Sequence, residues 1–127
     1  MMNERYGRPM LFRAIGAEGQ ERRSQARVML IECGALGASH AESLARAGVG
    51  TLRIVDRDFV ELTNLQRQVL FDECDAADRV PKAVAAKERI ARINSSVSVE
   101  AIVADINNSN IGSLLDEVDV VIDGSDN

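Results

Sequence analysis

Polar and charged side chains are concentrated in residues 56–68, whose sequence is DRDFVELTNLQRQ. This segment follows a short apolar run, residues 52–55, whose length and flanks are typical of a buried strand. In an open α/β sheet, ligands bind outside the carboxyl ends of the strands. Carboxylate, asparagine, glutamine and arginine side chains so densely placed at that edge are hard to explain by packing alone. The segment therefore favours chemistry on the phosphates of a nucleotide.

A glycine-containing loop, ECGALG at residues 32–37, lies between an apolar run and a helix-forming segment. Dinucleotide-binding loops carry GxGxxG at this place. Gly34 would let the backbone approach a phosphate, and Gly37 would allow close packing of the helix on the strand. Glu32 occupies the position of the first glycine, where its carboxylate would face the phosphates of a bound nucleotide. Like charges about 4 Å apart repel by roughly 1 kcal/mol in water. Asp56 follows about twenty residues later, where an acidic residue binds a ribose hydroxyl.

The hydrophobic pattern predicts the elements that position these residues. Strands are predicted at residues 28–31, 52–55, 97–103 and 118–122, and helices at 38–47, 81–93 and, weakly, 111–116. One or two short helices, interrupted by Gly16 and Gly19, are expected in residues 5–27.

Alternating strands and helices predict an α/β fold with a Rossmann-type parallel sheet of order 3-2-1-4, flanked by helices. We expect residues 1–27 to form a helical N-terminal arm and residues 28–127 a βαβ nucleotide-binding core. Because the sequence stops directly after the last strand, the sheet is expected to be incomplete and the chain to be the N-terminal part of a longer protein.

The composition restricts the classes of protein to which the chain can belong. Its 127 residues suffice for one domain with a core. A formal net charge of −5 argues against a nucleic-acid-binding face, which would cluster lysines and arginines. Because no apolar segment reaches membrane-spanning length and residues 1–9 lack the apolar core of a signal peptide, we expect a cytoplasmic protein with no membrane contact.

The spacing of three further side chains indicates no catalytic or metal-binding role. Cys33 and Cys74 form no CxxC pair, so we expect small packing residues or incidental thiols. His40, the single histidine, falls in the predicted helix 38–47 and is expected to be structural or at the surface.

Six short motifs follow one another along nearly the whole chain. They are RYGR at 5–8, GALG at 34–37, DRD at 56–58, NLQRQ at 64–68, PK at 81–82 and DGSDN at 123–127. In this order they resemble the ThiF/MoeB family, the bacterial relatives of ubiquitin-activating enzymes. The NLQRQ block and the final Asp-Asn are specific to that family, whereas the glycine loop is not. Pro9 stands where glutamine is common in the family.

The resemblance implies an adenylyltransferase that uses ATP and Mg²⁺ to activate the C-terminal glycine of a ubiquitin-like sulfur-carrier protein, as in thiamine or molybdopterin biosynthesis. It also implies a homodimer, and many members bind zinc at a site outside these residues. The roles implied are ribose binding by Asp56, phosphate contact by Asn64, Arg67 and Lys82, magnesium binding by Asp126, and reach into the neighbouring subunit's ATP site by Arg8. Gly34, Gly37, Asp58 and Gln68 complete the expected nucleotide-binding set.

This chemistry suits the residues present. A carboxylate that attacks the α-phosphorus of ATP is already anionic, so it needs no general base. Cations and positioning then carry catalysis, and Arg67, Lys82 and Arg8 supply positive charge.

Two other functions remain open from the sequence. Glu32 and the short length are compatible with a non-catalytic ThiF-like remnant that acts as a binding module. The fold and Asp56 are compatible with part of a nicotinamide-dependent oxidoreductase, which would have no use for Arg67, Lys82 and Asp126 together.

Overall fold

A computed structural model describes residues 4–125, and the remaining terminal residues, Asp126 and Asn127 among them, lie outside that range. Four parallel strands form one sheet in the order β3-β2-β1-β4. The strands are β1 (Arg27–Ile31), β2 (Thr51–Val55), β3 (Ser98–Ile102) and β4 (Val120–Asp123). This order places the strand reversal between β1 and β4, and it confirms the Rossmann-type sheet predicted from the sequence.

Six α-helices occur in the described part of the chain. They are α1 (Gly7–Leu11), α2 (Gly16–Gln25), α3 (Ala35–Ala47), α4 (Glu73–Ala77), α5 (Lys82–Ile93) and α6 (Ile111–Leu114). Short 3₁₀ turns occupy Glu4–Tyr6 and Leu62–Asn64. None of these helices has both the length and the apolar character needed to cross a bilayer.

Alternate residues of each strand point to opposite faces of the sheet and contribute to two hydrophobic cores. Leu30 and Leu52 face the larger core, where α3 and α5 cover the sheet with alanines such as Ala41 and Ala86. Small side chains let both helices lie close to the sheet, so most of the buried apolar surface is on this face. On the opposite face, Met29 packs with residues of α6 and of the segment that precedes it.

The N-terminal segment is anchored to this framework by a buried tyrosine. The hydroxyl of Tyr6 accepts a hydrogen bond from the Asn94 side chain at 2.8 Å, at the end of α5. The ring lies so close to Gly48 that a Cβ there would come within 2.5 Å of it. Arg5 donates to the carbonyl of Ile93.

The element boundaries differ from the sequence prediction in several places. Gly16 begins α2 and Gly19 lies inside it, so Gly19 does not interrupt a helix as predicted. The first strand begins at Arg27, and α3 begins at Ala35 because the loop already ends at Gly34.

The second half of the chain shows the remaining differences. The fourth strand begins at Val120 rather than 118, because Glu117, at φ 60°, turns the chain and Val118 packs beside α6. The third strand and α6 are shorter than predicted. Helix α4 was not predicted, although Asp72 and Asp75 form its reciprocal capping box.

Candidate functional site

The loop between β1 and α3 has the backbone geometry of a glycine-rich loop. A Cβ on Gly37 would lie 2.1 Å from the carbonyl oxygen of Glu32, so only glycine fits where the helix meets the strand. A Cβ on Gly34 would meet only the Gln68 amide nitrogen, at 3.8 Å. The backbone at Gly34 therefore has open space on its cleft side.

Glu32 adopts a conformation that side chains disfavour. Its φ of 66° lies in the left-handed region, where a non-glycine residue costs roughly 1–2 kcal/mol. This explains physically why a glycine is expected at this position of the loop. The exposed Glu32 lines two neighbouring clefts at the carboxyl edge of the sheet.

Asp56, directly after β2, is buried and organises the backbone of two loops. One carboxylate oxygen accepts the backbone N–H of Cys33 at 2.7 Å, and the other accepts the backbone N–H of Asp58 at 2.7 Å. Asp56 therefore caps loops, and its oxygens retain further acceptor capacity towards a ligand.

A cleft of about 110 Å³ brings together residues from four separate segments of the chain. Its lining comprises Glu32, Gly34, Asp56, Asp58, Asn64, Arg67, Gln68, Lys82 and Gly124. Seven of these belong to the nucleotide-binding set expected from the sequence, and Glu32 was noted as the departure in the glycine loop. We call this space the phosphate cleft.

The phosphate cleft contains two cationic side chains in different settings. Lys82, in the first turn of α5, is 7% exposed and forms no salt bridge with any carboxylate of residues 4–125. Arg67 is exposed and donates to the carbonyl of Thr63 at 3.0 Å. A cationic residue that is largely buried and has no carboxylate partner favours an anionic ligand, so Lys82 suits a phosphate.

Two amide side chains complete the wall of the phosphate cleft. The Asn64 side-chain oxygen accepts the backbone N–H of Glu61 at 2.8 Å and so stabilises the 3₁₀ turn. The Gln68 side-chain oxygen is buried and has no hydrogen-bond partner among residues 4–125. Because a buried acceptor without a donor is destabilising, it favours a polar occupant nearby.

A larger cleft of about 330 Å³ adjoins the first one and shares Glu32 and Asp56 with it. We call it the nucleoside cleft. Its aliphatic residues include Ile31, Val55 and Ile106. Its lining is Ile31, Glu32, Val55, Asp56, Arg57, Ala104, Asp105, Ile106, Asp123 and Ser125.

Sequence reasoning missed most of the nucleoside cleft. Arg57 and Asp105, from different loops, form a salt bridge at 3.1 Å. Hydrogen bonds from the hydroxyl and the backbone N–H of Ser125 lower the pKa of Asp123 below its usual value. The available signal was the position of these residues, directly after the predicted strands.

Cys33 lies beneath the clefts. Burial, together with the nearby Asp56 carboxylate, raises the pKa of its thiol to about 12, and Lys82 opposes the shift. The thiol is therefore neutral at physiological pH, which agrees with the expected packing role.

Among the predicted site residues that the structure describes, Gly37 and Arg8 do not line these clefts. Arg8 lies in α1, exposed, and is not among the residues that line either cleft of its own chain. Asp126, the expected magnesium ligand, lies outside the described residues. Within residues 4–125, His, Cys, Asp and Glu side chains form no group of three or more suited to a metal ion.

Comparison with known proteins gives related proteins along the whole chain. It is 46% identical over 126 residues to the sulfur carrier protein ThiS adenylyltransferase of Bacillus subtilis, covering 99% of this chain and 38% of that relative. It is 37% identical to the molybdopterin-synthase adenylyltransferase of Escherichia coli, covering 97% of this chain and 49% of the relative. The chain thus spans less than half the length of either relative.

Similarity extends to solved structures. The crystal structure of E. coli MccB with AMPCPP and MccA superposes with a TM-score of 0.84 at 33% identity, covering 98% of this chain and 38% of the MccB chain. The model of the ThiF family matches residues 6–127. With the family model matching nearly the whole sequence, the chain belongs to the ThiF family.

Proposed function

We propose that the protein binds ATP and adenylates the C-terminal carboxylate of a ubiquitin-like sulfur-carrier protein. The observation that carries the proposal is Lys82, a largely buried cationic residue that has no carboxylate partner in the described chain and lines a cleft with Arg67 and Gly34. Two relatives named as adenylyltransferases, one for a sulfur carrier protein and one for molybdopterin synthase, support the same reaction.

The two adjoining clefts suit the two parts of a nucleotide. We place the base against the aliphatic lining of the nucleoside cleft and the ribose hydroxyls near Asp56. The phosphates then occupy the phosphate cleft, beside the open backbone of Gly34 and the charges of Arg67 and Lys82. Asp56 lines both clefts, as the junction between ribose and phosphate requires.

The reaction needs positioning and positive charge rather than a proton acceptor. A carboxylate oxygen of the carrier attacks the α-phosphorus and forms a new P–O bond. The bond from the α-phosphorus to the α,β-bridging oxygen breaks, and its electron pair leaves with pyrophosphate. Fixed cations stabilise the negative charge that develops on the phosphates. Arg67 offers a planar fork for phosphate oxygens, whereas Lys82 acts as a point charge.

Magnesium and a second subunit belong to this proposal. Bound Mg²⁺ would neutralise phosphate charge and is held in proteins by one or two carboxylates with phosphate oxygens; Asp126 is the proposed ligand. Arg8 is proposed to reach the ATP site of a partner subunit in a homodimer, where it would add a third cation.

Calorimetric titration of ATP tests the nucleotide site directly. We expect Arg67→Ala to weaken ATP binding at least tenfold while the denaturation midpoint is maintained, because the guanidinium is exposed. Arg89→Ala, which removes an exposed arginine of α5 away from both clefts, is the matched control. Equal ATP affinity in all three proteins would contradict the phosphate site.

Isotope exchange between pyrophosphate and ATP tests the reaction. We expect exchange that depends on a Gly-Gly-ended carrier protein and is lost in Arg67→Ala. ATP binding without any exchange would favour the non-catalytic binding module, and binding of a nicotinamide dinucleotide in place of ATP would favour an oxidoreductase.

A further inference from the structure

A third cavity, of about 390 Å³, opens beside the phosphate cleft. It is lined by Asp58, Phe59, Glu61, Asn64, Arg79 and Lys82. Asp58, Asn64 and Lys82 also line the phosphate cleft, so the two spaces adjoin along a shared wall. The new contribution of this cavity is a second cation, Arg79.

Arg79 is held in a conformation that favours glycine. Its φ is 50°, in the left-handed region. The neighbouring backbone fixes this geometry, since the N–H of Arg79 donates to Ala76 at 3.2 Å and the N–H of Val80 donates to Asp75 at 3.0 Å. The carbonyl of Val80 also accepts the N–H of Val60 at 2.8 Å. The first two of these bonds are the usual ending of a helix such as α4, in which the residue after the C-cap adopts a left-handed backbone.

Among residues 4–125, the charge of Arg79 has no carboxylate partner. Its side chain is exposed, and within the described range it forms no salt bridge. The Asp58 carboxylate on the same wall lies 3.9 Å from the guanidinium of Arg57 instead. Arg79 and Lys82 therefore present two cationic groups to one cavity, whose lining also includes the carboxylates of Asp58 and Glu61.

We propose that Arg79, together with Lys82, holds the pyrophosphate leaving group, an inference that rests on the proposed adenylation. Two phosphates in series match Lys82 on the shared wall and Arg79 in the adjoining cavity. The electron pair released from the α-phosphorus leaves on pyrophosphate, so a guanidinium at this end stabilises the departing charge. Arginine binds phosphate oxygens through a planar fork, which makes Arg79 a determinant of affinity for the β- and γ-phosphates.

The test is calorimetric titration of inorganic pyrophosphate, ATP and AMP into the protein and into Arg79→Gly. The glycine removes the guanidinium and relieves the left-handed φ, so the variant should fold. We expect pyrophosphate and ATP affinities to fall about tenfold or more and AMP affinity to stay unchanged, because AMP lacks the β- and γ-phosphates. Arg79→Lys should restore part of the loss.

Glu117→Gly is the matched control, because Glu117 has a φ of 60° and is not among the residues that line the three cavities. It should bind all three ligands like the parent protein. Undetectable pyrophosphate binding by the parent, or equal pyrophosphate affinity in Arg79→Gly, would overturn the inference. Equal losses of affinity for AMP and pyrophosphate in Arg79→Gly would also overturn the inference, since they would indicate that Arg79 has a structural role.

Two further outcomes separate this inference from the proposed function. If Arg79→Gly weakens binding of a Gly-Gly-ended peptide but not of pyrophosphate, the cavity takes the carrier tail and the inference fails. If pyrophosphate binds in an Arg79-dependent way but neither ATP nor AMP binds, the anion site stands and the adenylation proposal fails.

Discussion

A single hydrogen bond of 2.7 Å joins the carboxylate of Asp56 to the backbone amide of Cys33 in the glycine loop. The second carboxylate oxygen is engaged by the backbone of Asp58. The loop after β1 and the loop after β2 are therefore held by one buried side chain. Since both the nucleoside and the phosphate clefts include Asp56, the shape of each depends on this tie.

Replacing Asp56 with asparagine should lower both stability and ATP affinity. The amide would turn an NH₂ group towards one of two backbone donors, and leaving a buried donor unsatisfied costs about 1–3 kcal/mol. We expect the free energy of unfolding, measured by urea denaturation, to fall by roughly that amount. Asp105→Asn, which changes an exposed carboxylate of the nucleoside cleft, should leave the free energy of unfolding nearly unchanged. Similar losses in both variants would contradict the loop-tying role.

Replacing Glu32 with glycine should tighten ATP binding and modestly stabilise the fold. Glycine relieves the strain of the left-handed backbone, and this gain exceeds the cost of the greater freedom that glycine gives the unfolded chain. We expect the free energy of unfolding to rise by roughly 0.5–1 kcal/mol. Removing a carboxylate from the lining of both clefts also reduces repulsion of the phosphates. Glu117→Gly should reproduce the stability gain without the change in ATP affinity. Unchanged ATP affinity in Glu32→Gly would show that this carboxylate does not oppose the nucleotide.

Lys82→Met should separate binding from folding. Lys82 is a largely buried residue with no salt-bridge partner in the described structure, so an apolar side chain of similar length leaves no unpaired charge there. We expect an equal or higher denaturation midpoint together with loss of ATP and pyrophosphate binding in titration calorimetry. A protein that unfolds more easily and still binds ATP would make Lys82 a structural residue.

The two thiols should differ in reactivity. Cys74 is exposed on α4, whereas Cys33 is buried and its raised pKa, about 12, keeps the thiol protonated. Because the thiolate is the reactive form, we expect one equivalent of alkylation at pH 8 in the folded protein and two equivalents in urea. Cys74→Ser should abolish the native reaction. Labelling of Cys33 in that folded variant, detected by mass spectrometry, would show that the glycine loop opens.

Much of this site was accessible from local sequence patterns. Short apolar runs followed by polar clusters predicted the parallel strands and the edge at which Asp56 and Asn64 lie, whereas Lys82 was expected there from the family resemblance. These signals are local, since each strand and its following loop are marked by residues adjacent in sequence. Gly37 was likewise expected to permit close helix–strand packing, and a Cβ at that position would collide with the backbone of Glu32.

The boundaries of the helices and strands and the lining of the nucleoside cleft were harder to predict from the sequence. Helix α4 escaped prediction because its five residues are too short to produce a hydrophobic period. Arg57 and Asp105 are separated by 48 positions, and only the pairing of β2 with β3 brings their loops together.

The sequence by itself determined the parallel order of the strands and the polar chemistry at their carboxyl edge, because alternation of strand and helix and short-range residue types suffice for both. Only the tertiary structure decided that Glu32 and Arg79 adopt left-handed backbones, that Lys82 is buried without a carboxylate in the described chain, and that Asp56 ties two loops. These properties depend on which distant segments become neighbours after folding.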